Sequence, residues 1–391
     1  MHPLSGITVL ALEQAVAAPF ATRQLADLGA RVIKIERPGG GDFARHYDAT
    51  VKGLSSHFVW LNRSKESLTL DVKRPEAAGV LARLLERADV FVQNLAPGAA
   101  ARLGLSADVL RRRHPRLIVC SVSGYGSTGP YAGRKAYDLL VQSEVGLVSI
   151  TGTEQAPSKV GISIADIAAG MYTYSGILAA LLTRAATGQG SALDVSLFDA
   201  LGEWMGYPAY YTAYSGAPPR RSGAEHASIA PYGPIHAADG ELFVAVQNAR
   251  EWTRFCADVL QWPELEHDDR FRTNSLRVAN RNALHIAIES TLGSLTVADL
   301  VARLETAQIA YARMNSVAEY LRHPQVIERN LFHDIDSPSG TLQAMKPPVR
   351  IAGVEPVMRG VPALGEQTDA ILGELGVTRE TIAAWRKAGV I

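Results

Sequence analysis

Cysteine is nearly missing from this 391-residue sequence. The two present, Cys120 and Cys256, stand in apolar company in LIVCSVS and TRFCADVL. Two isolated thiols exclude a disulfide framework and a cysteine-based metal site, and they fit a reducing cytoplasm. A surplus of charge is missing as well: Lys plus Arg is 39 and Asp plus Glu is 39. Binding to a nucleic-acid backbone needs excess cations, so no nucleic-acid partner is expected. The cluster Arg111, Arg112, Arg113, His114 and Arg116 reads as a solvated helix end whose cations suit the helix dipole. No unbroken apolar run reaches the roughly 20 residues of a membrane span, so no membrane partner is expected. Residues 7–18 are apolar enough to resemble a signal-peptide core. No basic region precedes them and Glu13 interrupts them, so they read as a buried strand and turn. Internal repeats and low-complexity tracts are absent too.

What is present is a rhythm. ITVLAL (7–12) predicts a strand. PFATRQLADLGA (19–30) has helical spacing, with Pro19 suited to a first turn and Gly29 to a cap. Strands follow at RVIKIER (31–37), SLTLDV (67–72), DVFVQNL (89–95) and RLIVCSVSGYG (116–126), with helices at 75–88 and 106–115, the latter opened by Ser106. Alternating strand and helix predict an α/β fold: a Rossmann-like, doubly wound large domain whose sites lie at the carboxyl ends of its strands. A long helix is expected over 171–190. The Gly- and Pro-rich stretch 214–221 marks a boundary, and the Asp239-Gly240 pair predicts a hairpin beyond it. The expected division is 1–215 for the large domain, 225–330 for a smaller α+β domain, and 331–391 for a return to the large one.

Three segments carry candidate chemistry. GYGSTG (124–129) matches G-x-G-x-x-G, but Pro130 to Gly133 extend the loop where a helix should open, and Glu144, the acid that follows, stands in the wrong kind of place. It reads as a tight turn rather than a dinucleotide site. GISIA (161–165) resembles a nucleophile elbow around Ser163, yet the preceding QAPSKV is a surface loop rather than a buried strand. Asp166 in SIADIAAGM is the informative residue. An Asp at a helix start is either a plain cap or an ionised carboxylate held by backbone N–H groups. Among small residues an acyl group can approach such a carboxylate, which then acts as a nucleophile.

With these motifs in order, the sequence resembles the family III CoA-transferases, the CaiB/BaiF group of formyl-CoA and carnitine CoA-transferases. The resemblance runs from PLSGITVLAL through KIERPGGGD, NRSKESLTLDVK, VQNLAPGAAARLGL, SVSGYGSTGPYAGRKAYDLLVQ and SIADIAAGM to PYGPIHAADGEL, PALGEQTDAILGELG and the terminal AGVI. It implies Asp166 as the catalytic nucleophile. It implies coenzyme A contacts at Val16, Ala17, Arg37, Leu70, Asn94, Leu95, Arg102 and Tyr137. A guanidinium can pair with phosphate or stack on adenine, which suits Arg37 and Arg102. It also implies an interlocked homodimer, a coenzyme A thioester as substrate, and no metal or redox cofactor. Backbone N–H groups near Asp166 and the turn at 124–129 are expected to meet the oxyanions.

The formyl-CoA transferases have Gln at the position of Val16 and a glycine-rich loop where this chain has HASIAPYG (226–233). This departure points away from formate and oxalate and toward succinate, itaconate, mesaconate, glutarate or related dicarboxylates. His226, Ser228 and Tyr232 are the expected readers of a distal carboxylate, with Arg45 or His46 adding charge; alternatively, the loop's polar groups bond one another and merely cover the site. The family also contains α-methylacyl-CoA racemases, in which a His-Asp pair supplies a base. Tyr137-Asp138 stands there instead, and a tyrosine does not titrate near neutrality, which favours transfer. A non-catalytic CoA-binding protein is the remaining alternative.

Overall fold

Short β-rich runs such as TVLAL and IVCSVS, separated by helix-forming stretches, cannot pair as hairpins. They pair in parallel, through crossovers. In the computed structural model, which describes residues 1–391, the strands β1 (Thr8–Leu12), β2 (Arg31–Glu36), β3 (Glu66–Thr69), β4 (Val90–Gln93), β5 (Ile118–Ser123) and β6 (Ala192–Ser196) make one sheet. Its order is β3-β2-β1-β4-β5-β6, with every neighbouring pair parallel. This is the doubly wound order, and the winding reverses between β1 and β4. Between and after the strands run α1 (Ala17–Asp27), α2 (Ser56–Asn62), α3 (Pro75–Arg87), α4 (Ala99–Arg102), α5 (Ala107–Arg113), α6 (Asp138–Glu144), α7 (Leu147–Ile150), α8 (Ile164–Thr187), α9 (Leu197–Trp204) and α10 (Gly206–Ser215).

The chain forms two units. The first comprises residues 1–145, 161–205 and 329–391, and the second 146–160 and 206–328. The expected boundary near 215–225 therefore moves back to 206, and residues 146–160 join the second unit. Composition marks loops, not the unit to which a loop belongs, so this excursion left no signal. In the first unit, Leu10, Ile33, Leu68, Phe91 and Val119 pack with Leu81 and Leu84 of α3 and Leu110 of α5. The second unit holds the strands β7 (Tyr232–Ala237), β8 (Gly240–Ala245) and β9 (Ala310–Ala312) in an antiparallel sheet. The predicted β7–β8 hairpin forms, but its two turn residues are Ala238 and Asp239, and Gly240 already opens β8. Helices α11 (Ala249–Arg254), α12 (Asn274–Ala279), α13 (Arg281–Leu292) and α14 (Val297–Thr306) accompany it around a core of Trp252, Phe255, Phe271 and Leu284.

Helix α8 begins at Ile164, not near 171 as expected. In the run IADIAAG only Ile164 and Ile167 are large apolar residues, too few to show a helical period before Met171. At 24 residues α8 is also long and apolar enough to cross a membrane, which a count of unbroken apolar residues passed over. Ala165, Ala168, Ala169 and Ile177 are buried, and α8 packs on α1, β5 and β6, the arrangement of a core helix.

Candidate active site

The crossing of α1 and α8 fixes the site. A Cβ on Gly170 would lie 2.8 Å from the Ala17 carbonyl oxygen and 2.9 Å from the Phe20 ring. Only glycine lets the two backbones approach so closely. The small residues of DIAAGM thus serve packing: Ala165, Ala168 and Ala169 have no exposed surface. The expectation that they open a path for an acyl group is corrected. They bring the start of α1, with Val16 and Ala17, against the first turns of α8.

Asp166 is the third residue of α8, and Ser163 holds the N-cap position without a side-chain cap bond. Asp166 is therefore not the cap. The cap comes from another helix: Asp138 Oδ1 accepts the Ala165 N–H at 2.7 Å and the Asp166 N–H at 3.4 Å. Gln142 Nε2 donates to Asp138 Oδ2 at 2.7 Å. The Ile164 N–H is bonded to the Ile162 carbonyl, and the Ile167 N–H to that of Ser163. All four amides of the first turn are engaged, so they do not form the expected oxyanion hole. In the 124–129 turn, the Gly126 N–H donates to Ser123 Oγ and the Ser127 N–H to Asp194. The turn is instead shaped by packing, since a Cβ on Gly124 would strike the Ala136 side chain at 2.1 Å.

The electrostatics also differ from expectation. Burial, then the adjacent Asp138, push the Asp166 carboxyl up to about 7, so it is not firmly ionised. A dipole and free N–H groups would have lowered it. Those N–H groups serve Asp138 instead. Tyr47, which sequence reasoning passed over, is the other titratable neighbour. Burial and the fields of Asp42, Asp166 and Tyr137 push its phenol up to about 12, so it stays a hydrogen-bond donor.

Each position implied for coenzyme A follows a strand of the one sheet, at its carboxyl end. Val16 and Ala17 come after β1, Arg37 after β2, Leu70 after β3, Asn94, Leu95 and Arg102 after β4, and Tyr137 after β5. Asn94 ties the two loops at the switch point: its Oδ1 accepts the Gln14 N–H and its Nδ2 donates to the Gln14 carbonyl, both at 2.8 Å. Ala15 between them adopts φ 61°. Arg37, Arg102 and Tyr137 are exposed. Val16, Ala17 and Leu70 are buried, Leu70 at 1%, so any ligand contact there falls on backbone.

Beneath the first loop lies a buried ionic cluster whose residues the sequence showed only as landmarks. Lys34 Nζ pairs with Asp42 Oδ2 at 2.8 Å, and Lys65 Nζ with Glu13 Oε1 at 2.6 Å. Lys65 also donates to the Pro19 carbonyl and Asn62 Oδ1, both at 3.0 Å. Asp42 Oδ1 accepts the Ala15 N–H at 3.1 Å, so the cluster grips the loop itself. Burial would raise the Glu13 carboxyl, but Lys65 and Lys34 hold it below its usual range. The readable signal was a lysine among apolar residues in RVIKIE.

Arg45 departs from its expected role. Its Nη2 pairs with Glu36 Oε2 at 2.7 Å, and its guanidinium lies 3.7 Å over the Phe58 ring. A cation so engaged is not a free partner for a substrate carboxylate, because removing it would leave Glu36 buried and unpaired. His46 is exposed, with Nε2 at 3.1 Å from the Gly40 carbonyl. In the second unit, the His226 ring stacks on Tyr232 with centroids 5.1 Å apart. The Ser228 N–H donates to His226 Nδ1 at 3.2 Å, which leaves Nε2 to carry the proton. Asn274 and Arg281 bind the loop's carbonyls. Residues outside the loop, Asn274, Arg277 and Arg281, thus hold much of its backbone, while inside it His226 joins Ser228 and Tyr232.

A sheet of this order, with its loops gathered at the carboxyl ends of the strands, is a doubly wound α/β fold with its candidate site at the switch point. The model of CoA-transferase family III matches residues 4–368, and the chain belongs to that family. It is 36% identical over 390 residues to a succinate–glutarate CoA-transferase of Agrobacterium fabrum, covering 97% of both chains. It is 36% identical to an acetyl-CoA:oxalate CoA-transferase of Acetobacter aceti, covering 95% of each. Among solved structures, a CaiB/BaiF family protein from Brucella suis superposes with a TM-score of 0.83 at 34% identity, covering 96% of this chain and 99% of that one. The chain is thus a CoA-transferase acting on CoA thioesters and carboxylic acids.

Proposed function

We propose that this enzyme moves coenzyme A from succinyl-CoA to a short dicarboxylic acid, with Asp166 as covalent nucleophile. The observation that carries the reading is Asp166 itself: a partly buried carboxylate on the first turn of a core helix that packs on α1. Relatives named for glutarate, mesaconate and D-citramalate support the acid class.

In the first step an Asp166 oxygen attacks the thioester carbon. A C–O bond forms, the C–S bond breaks, and its electron pair leaves on the CoA thiolate. The thiolate then attacks the Asp166 carbonyl of this mixed anhydride and expels the donor acid as carboxylate. The resulting aspartyl-CoA thioester is attacked by the acceptor carboxylate, and the steps run in reverse. The protonated Tyr47 phenol is a candidate donor to the oxyanions. Racemisation is the weaker reading, since Tyr137 stands where the racemases carry a histidine and Asp138 is engaged in capping α8. The family resemblance further suggests a cytoplasmic, interlocked homodimer, which light scattering of the purified protein tests.

The test is a panel of acids supplied with succinyl-CoA and read by mass, run with the native enzyme and Asp166→Ala. The native enzyme should form acyl-CoA products with dicarboxylic acids, and the variant should lose many orders of magnitude in turnover. Near-native turnover by the variant removes Asp166 from the chemistry.

A further inference from the structure

Asp138 has no place in the steps above, yet it is the residue most closely built around Asp166. It opens α6, and its side chain crosses to α8, where one oxygen receives the Ala165 and Asp166 N–H groups and the other receives Gln142. Accepting from every side is the pattern of an ionised carboxylate, which has no proton to donate. The first turn of a 24-residue helix is thereby held by a carboxylate from outside it, because Ser163 at the cap position makes no cap bond.

We propose that Asp138 is a positioning residue for the transfer reaction: it fixes the turn that carries the nucleophile and sets a second negative charge beside it. The inference rests on Asp166 as nucleophile. Two like charges side by side raise the energy of the free carboxylate. When Asp166 attacks the thioester, its charge departs with the thiolate and the ester oxygen is neutral. Repulsion present before the step is absent after it, which favours acylation.

Asp138 is the charged group whose field reaches Asp166. The other elements around α8 bring different groups. Ala17 and Phe20 of α1 meet it at Gly170. Cys120 of β5 is buried, and burial pushes its thiol up to about 12. Glu203 of α9 accepts from the Tyr172 hydroxyl. Tyr47 faces Asp166 as a protonated phenol. None of these competes with Asp138 as the second charge.

The experiment compares kcat/KM against pH for the native enzyme and Asp138→Asn. Asparagine keeps an oxygen for the Ala165 N–H and removes the charge. The acid limb should fall by about one pH unit, and not to the ordinary carboxylate value, because burial, the larger cause, remains. The phosphates of CoA titrate equally for both enzymes and cancel. Hydroxylamine trapping after acyl-CoA is run in parallel. A labelled Asp166 with an unmoved acid limb overturns the role of Asp138 and leaves the nucleophile standing. An unlabelled Asp166 in the native enzyme overturns the nucleophile, and this inference with it. Should Asp138→Asn fold poorly, the same pH profile is taken with Asp138→Ser, which keeps a hydroxyl oxygen for the Ala165 N–H and removes the charge: a lowered acid limb supports the proposal, and an unmoved one refutes it.

Discussion

Replacing Asp166 by Asn should make the protein more stable in mild alkali and leave it unchanged in acid. In the folded chain burial, then Asp138, hold this carboxyl at about 7 against an ordinary 3.8. Between those two values the folded state keeps a proton that the unfolded chain has released, so stability falls as pH rises through this window. Each unit of difference is worth about 1.4 kcal/mol, which gives a ceiling of roughly 4 kcal/mol above about pH 8. Solvent reaches part of the carboxylate, and screening lowers the expectation to about 2–4 kcal/mol. Asparagine has the same shape and no proton to lose, so it escapes the penalty. Urea unfolding of both proteins at about pH 4 and about pH 9 measures the difference; in a melt, a unit of this size should gain on the order of 4–8 °C at the higher pH. Equal stability at about pH 9, or a native protein more stable than the variant there, refutes the reasoning. Asp166 would then be a comfortable carboxylate rather than one kept at a cost for chemistry.

Arg37→Ala and Arg102→Ala should each weaken acyl-CoA binding by about 1–3 kcal/mol, the scale of a charge-assisted contact, and leave the KM for the acceptor acid nearly unchanged; calorimetry with CoA that sees no loss in either variant removes both from the site. Succinate, itaconate or mesaconate should far outperform butyrate, because a site that pairs a distal carboxylate rejects the analogue without it by large factors. Similar kcat/KM values for butyrate and succinate would mean that the distal group is not read. Glu36→Gln should cost about 3–5 kcal/mol by leaving Arg45 and Lys34 short of a buried partner. Burial alone would raise Glu36, but Arg45, Lys34 and Ser67 hold it at about 2. Its contribution is therefore complete above its usual 4.5 and is lost as pH falls toward 2, which acid unfolding of the two proteins measures.

The parallel sheet was legible because each of its strands is a short apolar run between turn residues, and because alternating strand and helix admits few topologies. The position of the loops proposed for coenzyme A was legible by the same rule, since they follow the strands. The family was legible because its motifs are contiguous in the chain: SIADIAAGM and KIERPGGGD carry their identity without folding. Contiguity is also where sequence reasoning stopped. Asp138 and Asp166 are far apart in the chain, and only the meeting of α6 and α8 makes one the cap of the other and takes up the N–H groups expected for an oxyanion. Glu13, Lys34, Asp42 and Lys65 belong to three separate motifs, and their charges pair only once β1, β2 and the loops beside them close over a dry space. Arg45 was chosen as a free cation because a sequence shows a residue's charge and not its partner. Residue types and their order along the chain determined the fold class and singled out Asp166. The protonation of Asp166, the partner of each buried charge and the packing task of Gly170 depend on distances of a few ångströms between distant segments, and only the tertiary structure decided them.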